Sequence, residues 1–111
     1  MAYYVPDRGD VVWLSFSPQA GHEQAERRPA FTVSPRLYNE RVGLALFCPL
    51  TSQVKGYPLE VPVPPGFAIG GVVLADQIRS LDWVARHAEY IVILPEHVTG
   101  EVIARLRVLL D

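Results

Sequence analysis

Residues 42–50 read VGLALFCPL, an apolar run interrupted only by one glycine and one proline. Its length suits a strand buried on both faces and falls far short of the ~18 residues that cross a bilayer. It is read here as the central strand, the third along the chain. Upstream, residues 10–16 (DVVWLSF) are rich in β-branched and aromatic side chains and run into Ser17 and Pro18, which predicts a first strand closed by a turn. Residues 29–34 (PAFTVS) give a second, with Tyr38 and Asn39 in its connection to the third. Downstream, residues 51–58 (TSQVKGYP) mix turn formers with Lys55 and lead into 59–63 (LEVPV), an edge strand by its alternation and its prolines. Gly66 after two prolines, and the pair Gly70 and Gly71, punctuate the next connection. Residues 72–83 (VVLADQIRSLDW) read as a strand that bends or continues through polar positions, and 89–94 as a last short one.

The tail changes period. Pro95 fits the first turn of a helix, Glu96 complements its dipole, and Val98, Val102, Ile103, Leu106, Leu109 and Leu110 recur at helical spacing. Gly100 costs this helix roughly 1 kcal/mol, which burial of the apolar stripe offsets. Several short strands closed by one helix predict a mainly β fold, a small, strongly curved, barrel-like sheet with a C-terminal α-helix packed on it.

At 111 residues the chain is expected to form one domain, residues 1–111, with a real core. Nothing at the start resembles a signal segment, so a cytoplasmic protein without a membrane partner is expected. Cys48, the single cysteine, lies inside the apolar run and reads as a buried thiol. His22, His87 and His97 lack ligand spacing around it, so neither a metal nor a cofactor is expected. The net charge of −2 gives no general attraction for nucleic acid, yet every basic residue except Lys55 is arginine, whose planar fork suits phosphate or carboxylate. A local basic patch is compatible with that balance.

Three polar clusters interrupt the strands. In residues 21–35 (GHEQAERRPAFTVSP), Arg28 stands directly before a strand-opening proline, where a guanidinium is aimed at a fixed exit and suited to a phosphoryl transition state. The same residues allow Arg28 to pair with Glu23 or Glu26 in an ordinary loop bridge, and Glu26 and Arg27 read as solvated. Thr51, Ser52 and Gln53, with Lys55, follow the central strand, where hydroxyls bind phosphate oxygens or their own backbone. Asp76, Gln77, Arg79, Ser80 and Arg86 offer groups that read base edges, or an exposed strand face. No serine-hydrolase elbow, Cys–His pair or phosphate-binding glycine loop is present.

Taken in order, RGDVVWLSFSP (8–18), GHEQAERRPAFTVSP (21–35), PLTSQVKGYPLEV (49–61) and LADQIRSLDW (74–83) resemble the MazF/PemK family of toxin endoribonucleases. The resemblance spans nearly the whole chain, and its specific element is the ordered set E-Q-x-x-x-R-P, T-x-Q and D-Q-I-R-S. It implies an SH3-like β-barrel of the MazF/PemK/CcdB toxin type, a homodimer, and metal-independent, sequence-specific cleavage of single-stranded RNA. It also implies neutralisation by a cognate, acidic MazE-like antitoxin. By the same resemblance Arg28 and Thr51 are catalytic, Glu23 belongs to the site, and RNA contacts fall on His22, Gln24, Gln77, Arg79 and Ser80; the polar clusters themselves add Ser52, Gln53, Lys55 and Arg86 as candidate RNA contacts. His22 departs from the serine common at its position.

The reaction implied is attack of a ribose 2′-hydroxyl on the adjacent phosphate, giving a 2′,3′-cyclic phosphate and a 5′-hydroxyl. Arg28 would stabilise the anionic transition state, Thr51 would hold a non-bridging oxygen, and Glu23 would accept or orient the nucleophile's proton. Two other readings compete. A gyrase-poisoning toxin of the same fold would need its functional residues at the end of the C-terminal helix, where Leu110 and Asp111 are undistinguished. An SH3-like peptide-binding module would use loop aromatics to line a groove.

Overall fold

The central strand is β3, Leu44–Thr51, and its neighbours define the sheet. In the computed structural model, which describes residues 3–16 and 27–111, its first half pairs with β6 (Arg79–Asp82) and its last two residues with β5 (Val72–Leu74). Its other edge pairs with β2 (Arg27–Thr32), which pairs with β1 (Asp10–Ser15), which pairs in turn with β7 (Glu89–Ile93). Strand β4 (Glu60–Pro62) lies outside β5. All pairings are antiparallel, and the path β4-β5-β3-β2-β1-β7 curls into a barrel-like sheet without closing. The mainly β architecture with a terminal helix is as the sequence led us to expect.

The pleat sorts the apolar side chains onto two faces. Val11, Phe31, Cys48, Leu50 and Val73 pack on one, and helix α2 (Glu96–Leu110) lays Val98, Val102 and Leu106 over them. Val12, Leu14, Ala30, Ala45, Phe47, Leu81 and Trp83 pack on the other. Strand β1 carries side chains into both clusters, which is why it lacks the polar alternation of a half-exposed strand. Cys48 is fully buried, and burial pushes its thiol up to about 12, far from nucleophilic range.

Two local features differ from the sequence reading. Residues 36–42, read partly as connection and partly as the start of the third strand, form a helix, α1 (Arg36–Val42). Pro35 precedes it, and Gly43 ends it at φ +81°, a conformation that glycine adopts without a Cβ penalty. Its Asn39 is fully buried and satisfied: Nδ2 donates to the Pro6 and Ser34 carbonyls at 2.7 and 2.9 Å, and Oδ1 accepts the Ser34 hydroxyl at 2.5 Å. The Trp83 indole donates to the Asn39 carbonyl at 3.0 Å, tying α1 to the second core. The second difference is that 72–83 is two strands joined by one 3₁₀ turn, Ala75–Gln77. The bend was legible; the change of partner strand position along β3 was not.

Candidate active site

The β2–β3 ladder runs from Thr32 opposite Phe47 to Ala30 opposite Pro49. Pro29 and Pro49 lack an N–H, so each strand loses a ladder donor at this point. Continuing the register by two residues brings Arg28 opposite Thr51. The period of two puts both on the face that carries Ala30 and Phe47, just past the end of that core. The sequence separates these residues by a strand, a helix and most of another strand; antiparallel pairing returns them to one rung.

Thr51 is fixed from three directions. Its backbone pairs with Val72. Its Oγ1 accepts the Gln53 N–H at 3.1 Å, which sets the rotamer and leaves the hydroxyl proton to donate. Across the strand gap Gly71 lies so close that a Cβ there would fall 2.1 Å from the Thr51 carbonyl oxygen, at a φ of +96°. Only glycine fits, and the Gly70-Gly71 signal read as simple punctuation was the one clue to this contact.

Clefts converge on this rung. One of about 630 Å³ is lined by Arg28, Thr51, Ser52, Trp13, Val54 and Gly71 among others. A second of about 470 Å³ shares Arg28 and Thr51 and adds Phe16, Pro49, Gln77 and Arg79. A third of about 150 Å³ joins Thr51 to Gln53, Lys55, Tyr57, Asp76 and Gln77. Arg28, Lys55 and Arg79 therefore line clefts that all include Thr51, a local concentration of positive charge suited to a polyanion despite the net charge of −2. Arg79 also lies over the Phe16 ring, 5.9 Å from its centroid. Trp13 and Phe16, aromatic residues of the first predicted strand, are half-buried and line the clefts.

The structure thus brings Arg28, Thr51, Ser52, Gln53, Lys55, Gln77 and Arg79 together. Ser80, next to Arg79 on β6, is exposed, and strand alternation turns it to the opposite face. Arg86 is half-buried, its Nη1 donating to the Ser15 and Phe16 carbonyls at 3.0 and 3.3 Å, so it secures the end of β1. His22, Glu23 and Gln24, and with them Glu26, lie outside the described residues. Arg27, read as merely solvated, is corrected: although exposed, it donates to Ser15 Oγ at 3.0 Å and the His87 carbonyl at 2.8 Å, and it pairs with Glu89 at 3.3 Å. Alternation explains the difference between the adjacent arginines, since Arg27 reaches across β1 to β7 while Arg28 faces the clefts. Among the described residues no group of His, Cys, Asp and Glu is arranged to hold a metal ion, and no helix is long and apolar enough to cross a membrane.

Comparison with known proteins bears on the fold and the family. The endoribonuclease toxin MazF of Escherichia coli K12 is 52% identical over 85 residues, covering 77% of this chain and 76% of its own. A crystal structure of MazF from Deinococcus radiodurans superposes with a TM-score of 0.88 at 54% identity, covering 97% of this chain and 98% of that one. A MazE–MazF structure from the same organism gives 0.89 at 47% identity, covering 98% of each. The model of PemK-like, MazF-like toxins of type II toxin–antitoxin systems matches residues 7–110, and the chain belongs to that family.

Proposed function

We propose that this chain is an endoribonuclease toxin, with residues 1–111 acting as one domain, that cleaves single-stranded RNA at a short sequence without a metal ion. The observation that carries the reading is the Arg28–Thr51 rung at the junction of the clefts. A guanidinium and a hydroxyl held across adjacent strands grip two oxygens of one phosphate. The hydroxyl donates to a non-bridging oxygen, and Arg28 neutralises the charge that grows on the phosphorane. The ribose 2′-oxygen bonds to phosphorus and loses its proton, while the 5′-oxygen departs and takes one up. The ends are a 2′,3′-cyclic phosphate and a 5′-hydroxyl. Glu23 is assigned the proton of the nucleophile, and His22 and Gln24 lie beside it in sequence.

Family membership supports three further parts of the proposal. The chain acts in the cytoplasm, where mRNA is translated; it works as a homodimer; and a MazE-like acidic antitoxin silences it by lying in the same cationic clefts. Solved relatives include MazE–MazF complexes, which supports that partner class. Incubation with a long single-stranded transcript, with and without EDTA, followed by mapping of the ends, tests the reading. Discrete cuts with 5′-hydroxyl ends in both conditions are expected. Intact RNA together with inhibition of DNA gyrase would overturn it in favour of the gyrase-poisoning alternative.

A further inference from the structure

Glu60 is a buried carboxylate, 8% exposed, at the start of edge strand β4. An ionised group is taken out of water only where hydrogen bonds replace the lost solvation. Its bonds all go to one place. Oε1 accepts the Gly56 N–H at 2.9 Å and the Lys55 N–H at 3.3 Å, while Oε2 accepts the Lys55 N–H at 3.1 Å. Gly56 takes φ +84°, which turns its N–H inward beside that of Lys55. The Glu60 N–H in turn donates to the Tyr57 carbonyl at 3.1 Å, and Arg105 of α2 donates to the Pro58 carbonyl at 2.9 Å. The segment between Thr51 and Glu60 is thereby closed on the carboxylate.

That segment carries Ser52, Gln53 and Lys55, all exposed, and it walls the clefts at Thr51. We propose that Glu60 is a positioning residue for RNA selection: by holding the Lys55 and Gly56 amides it fixes the loop that presents Ser52, Gln53 and Lys55 to the nucleotides beside the scissile phosphate. The inference rests on the proposed RNA-cleaving role of the Arg28–Thr51 site. The carboxylate is required because both of its oxygens accept, whereas an amide offers one acceptor and turns an NH₂ group against the loop's own donors. Glu60 lines the smallest of these clefts but spends both oxygens on the loop amides, so its loss is expected to fall on where RNA is held and to leave the chemical step in place.

The test uses Glu60→Ala, Glu60→Gln and Gly56→Ala in the full chain, read by cleavage kinetics on an RNA of mapped sites and by amide exchange at Lys55 and Gly56. Loss of Glu60 is expected to speed exchange at both amides, raise KM about tenfold with kcat within about threefold, and add cleavage sites absent from the parent pattern. Glu60→Gln is expected to fall between parent and alanine variant. Parent KM and parent cleavage pattern in a Glu60→Ala protein whose amides exchange fast would overturn the inference, as would a collapse of kcat at unchanged KM. Should Glu60→Ala not fold, Gly56→Ala perturbs the same contact from the other side, through the strain of a side chain at φ +84° and not through a clash, since a Cβ there meets nothing within 4 Å, and faster exchange at amides 55 and 56 shows that the contact has loosened. A KM rise there supports the role, and an unchanged KM rejects it. Full cleavage by Arg28→Ala would reject the underlying reading whatever Glu60 does, whereas an inactive Arg28→Ala beside a parent-like Glu60→Ala rejects only the loop role.

Discussion

Continued two residues past the last paired rung, Ala30 with Pro49, the β2–β3 register sets Arg28 opposite Thr51 on one face of the sheet. Both line two of the clefts that meet there. The proposed site is therefore a continuation of the strand ladder itself, in which side chains take over where proline has removed backbone donors.

Replacing Arg28 by alanine is expected to lower kcat/KM by about 10²–10³-fold, in the range of losing one preorganised transition-state donor. Lysine restores charge without the planar fork and is expected to recover only part of it. Single-turnover cleavage of a short RNA containing one site measures both. An unchanged melting temperature separates the effect from unfolding.

Thr51→Val keeps the shape and removes the hydroxyl, and is expected to cost about 10–100-fold in kcat as one oxyanion contact is lost. Thr51→Ser retains the group and stays within about tenfold of the parent, the difference reflecting the freer rotamer. Parent-like rates in the valine variant would remove Thr51 from the chemistry.

Gly71→Ala places a methyl group 2.1 Å from the Thr51 carbonyl oxygen at a φ of +96°. The backbone must move, so a loss of about 2 kcal/mol or more of stability is expected together with a fall in cleavage rate. Urea unfolding and kinetics on one sample check both halves. Gly66→Ala is the control, since it shares a positive φ and meets nothing within 4 Å.

The neighbouring arginines should behave differently. Arg27→Met breaks contacts to Ser15, His87 and Glu89 at an exposed position and is expected to cost about 1 kcal/mol or less, with kcat near the parent value. Denaturant midpoints in low and high salt read its effect, which shrinks as salt rises.

Alkaline pH should weaken the fold through Cys48. Its folded thiol is raised to about 12 from an ordinary value of 9.0, so above pH 9 the unfolded chain gives up a proton that the folded chain keeps. Stability is intact below pH 9 and is lost progressively between 9 and 12. Tyr4, raised by burial and by its 2.5 Å hydrogen bond to Asp10, adds in the same direction. Cys48→Ala is expected to flatten the decline of unfolding free energy with pH, and the native thiol is expected to resist thiol reagents at pH 8.

Strand positions were legible where the side chains had two faces to fill, as in β1 and β3, and helix α2 was legible from its single apolar stripe. Helix α1 was not, because Leu37, Tyr38 and Val42 are exposed and the buried residue is the polar Asn39, so no apolar stripe marks it. Its end signals, Pro35 and Gly43, were present in the sequence. The charges near Arg28 posed a different problem. The proline after Arg28 set it apart from Arg27 in the sequence, but that Arg27 reaches across β1 to β7 while Arg28 faces the clefts follows only from the register. The contacts of Gly71 and Glu60 are not legible in the sequence for a related reason: each acts on a segment whose approach depends on the pairing of β4, β5 and β3.

Strand β3 has different neighbours along one edge, β6 beside Leu44 to Phe47 and β5 beside Leu50 and Thr51. Durability and chemistry are thereby assigned to separate lengths of a single strand. Changes in β6 that tighten Leu81 against Ala45 and Phe47 harden the molecule without reaching the threonine. Changes in β5 and the glycines before it reach the threonine, at the cost in stability expected for Gly71→Ala, while the pairing of Leu44 to Phe47 with β6 is left in place. Such a division gives a lineage one end of the strand to vary while the other end keeps its partner.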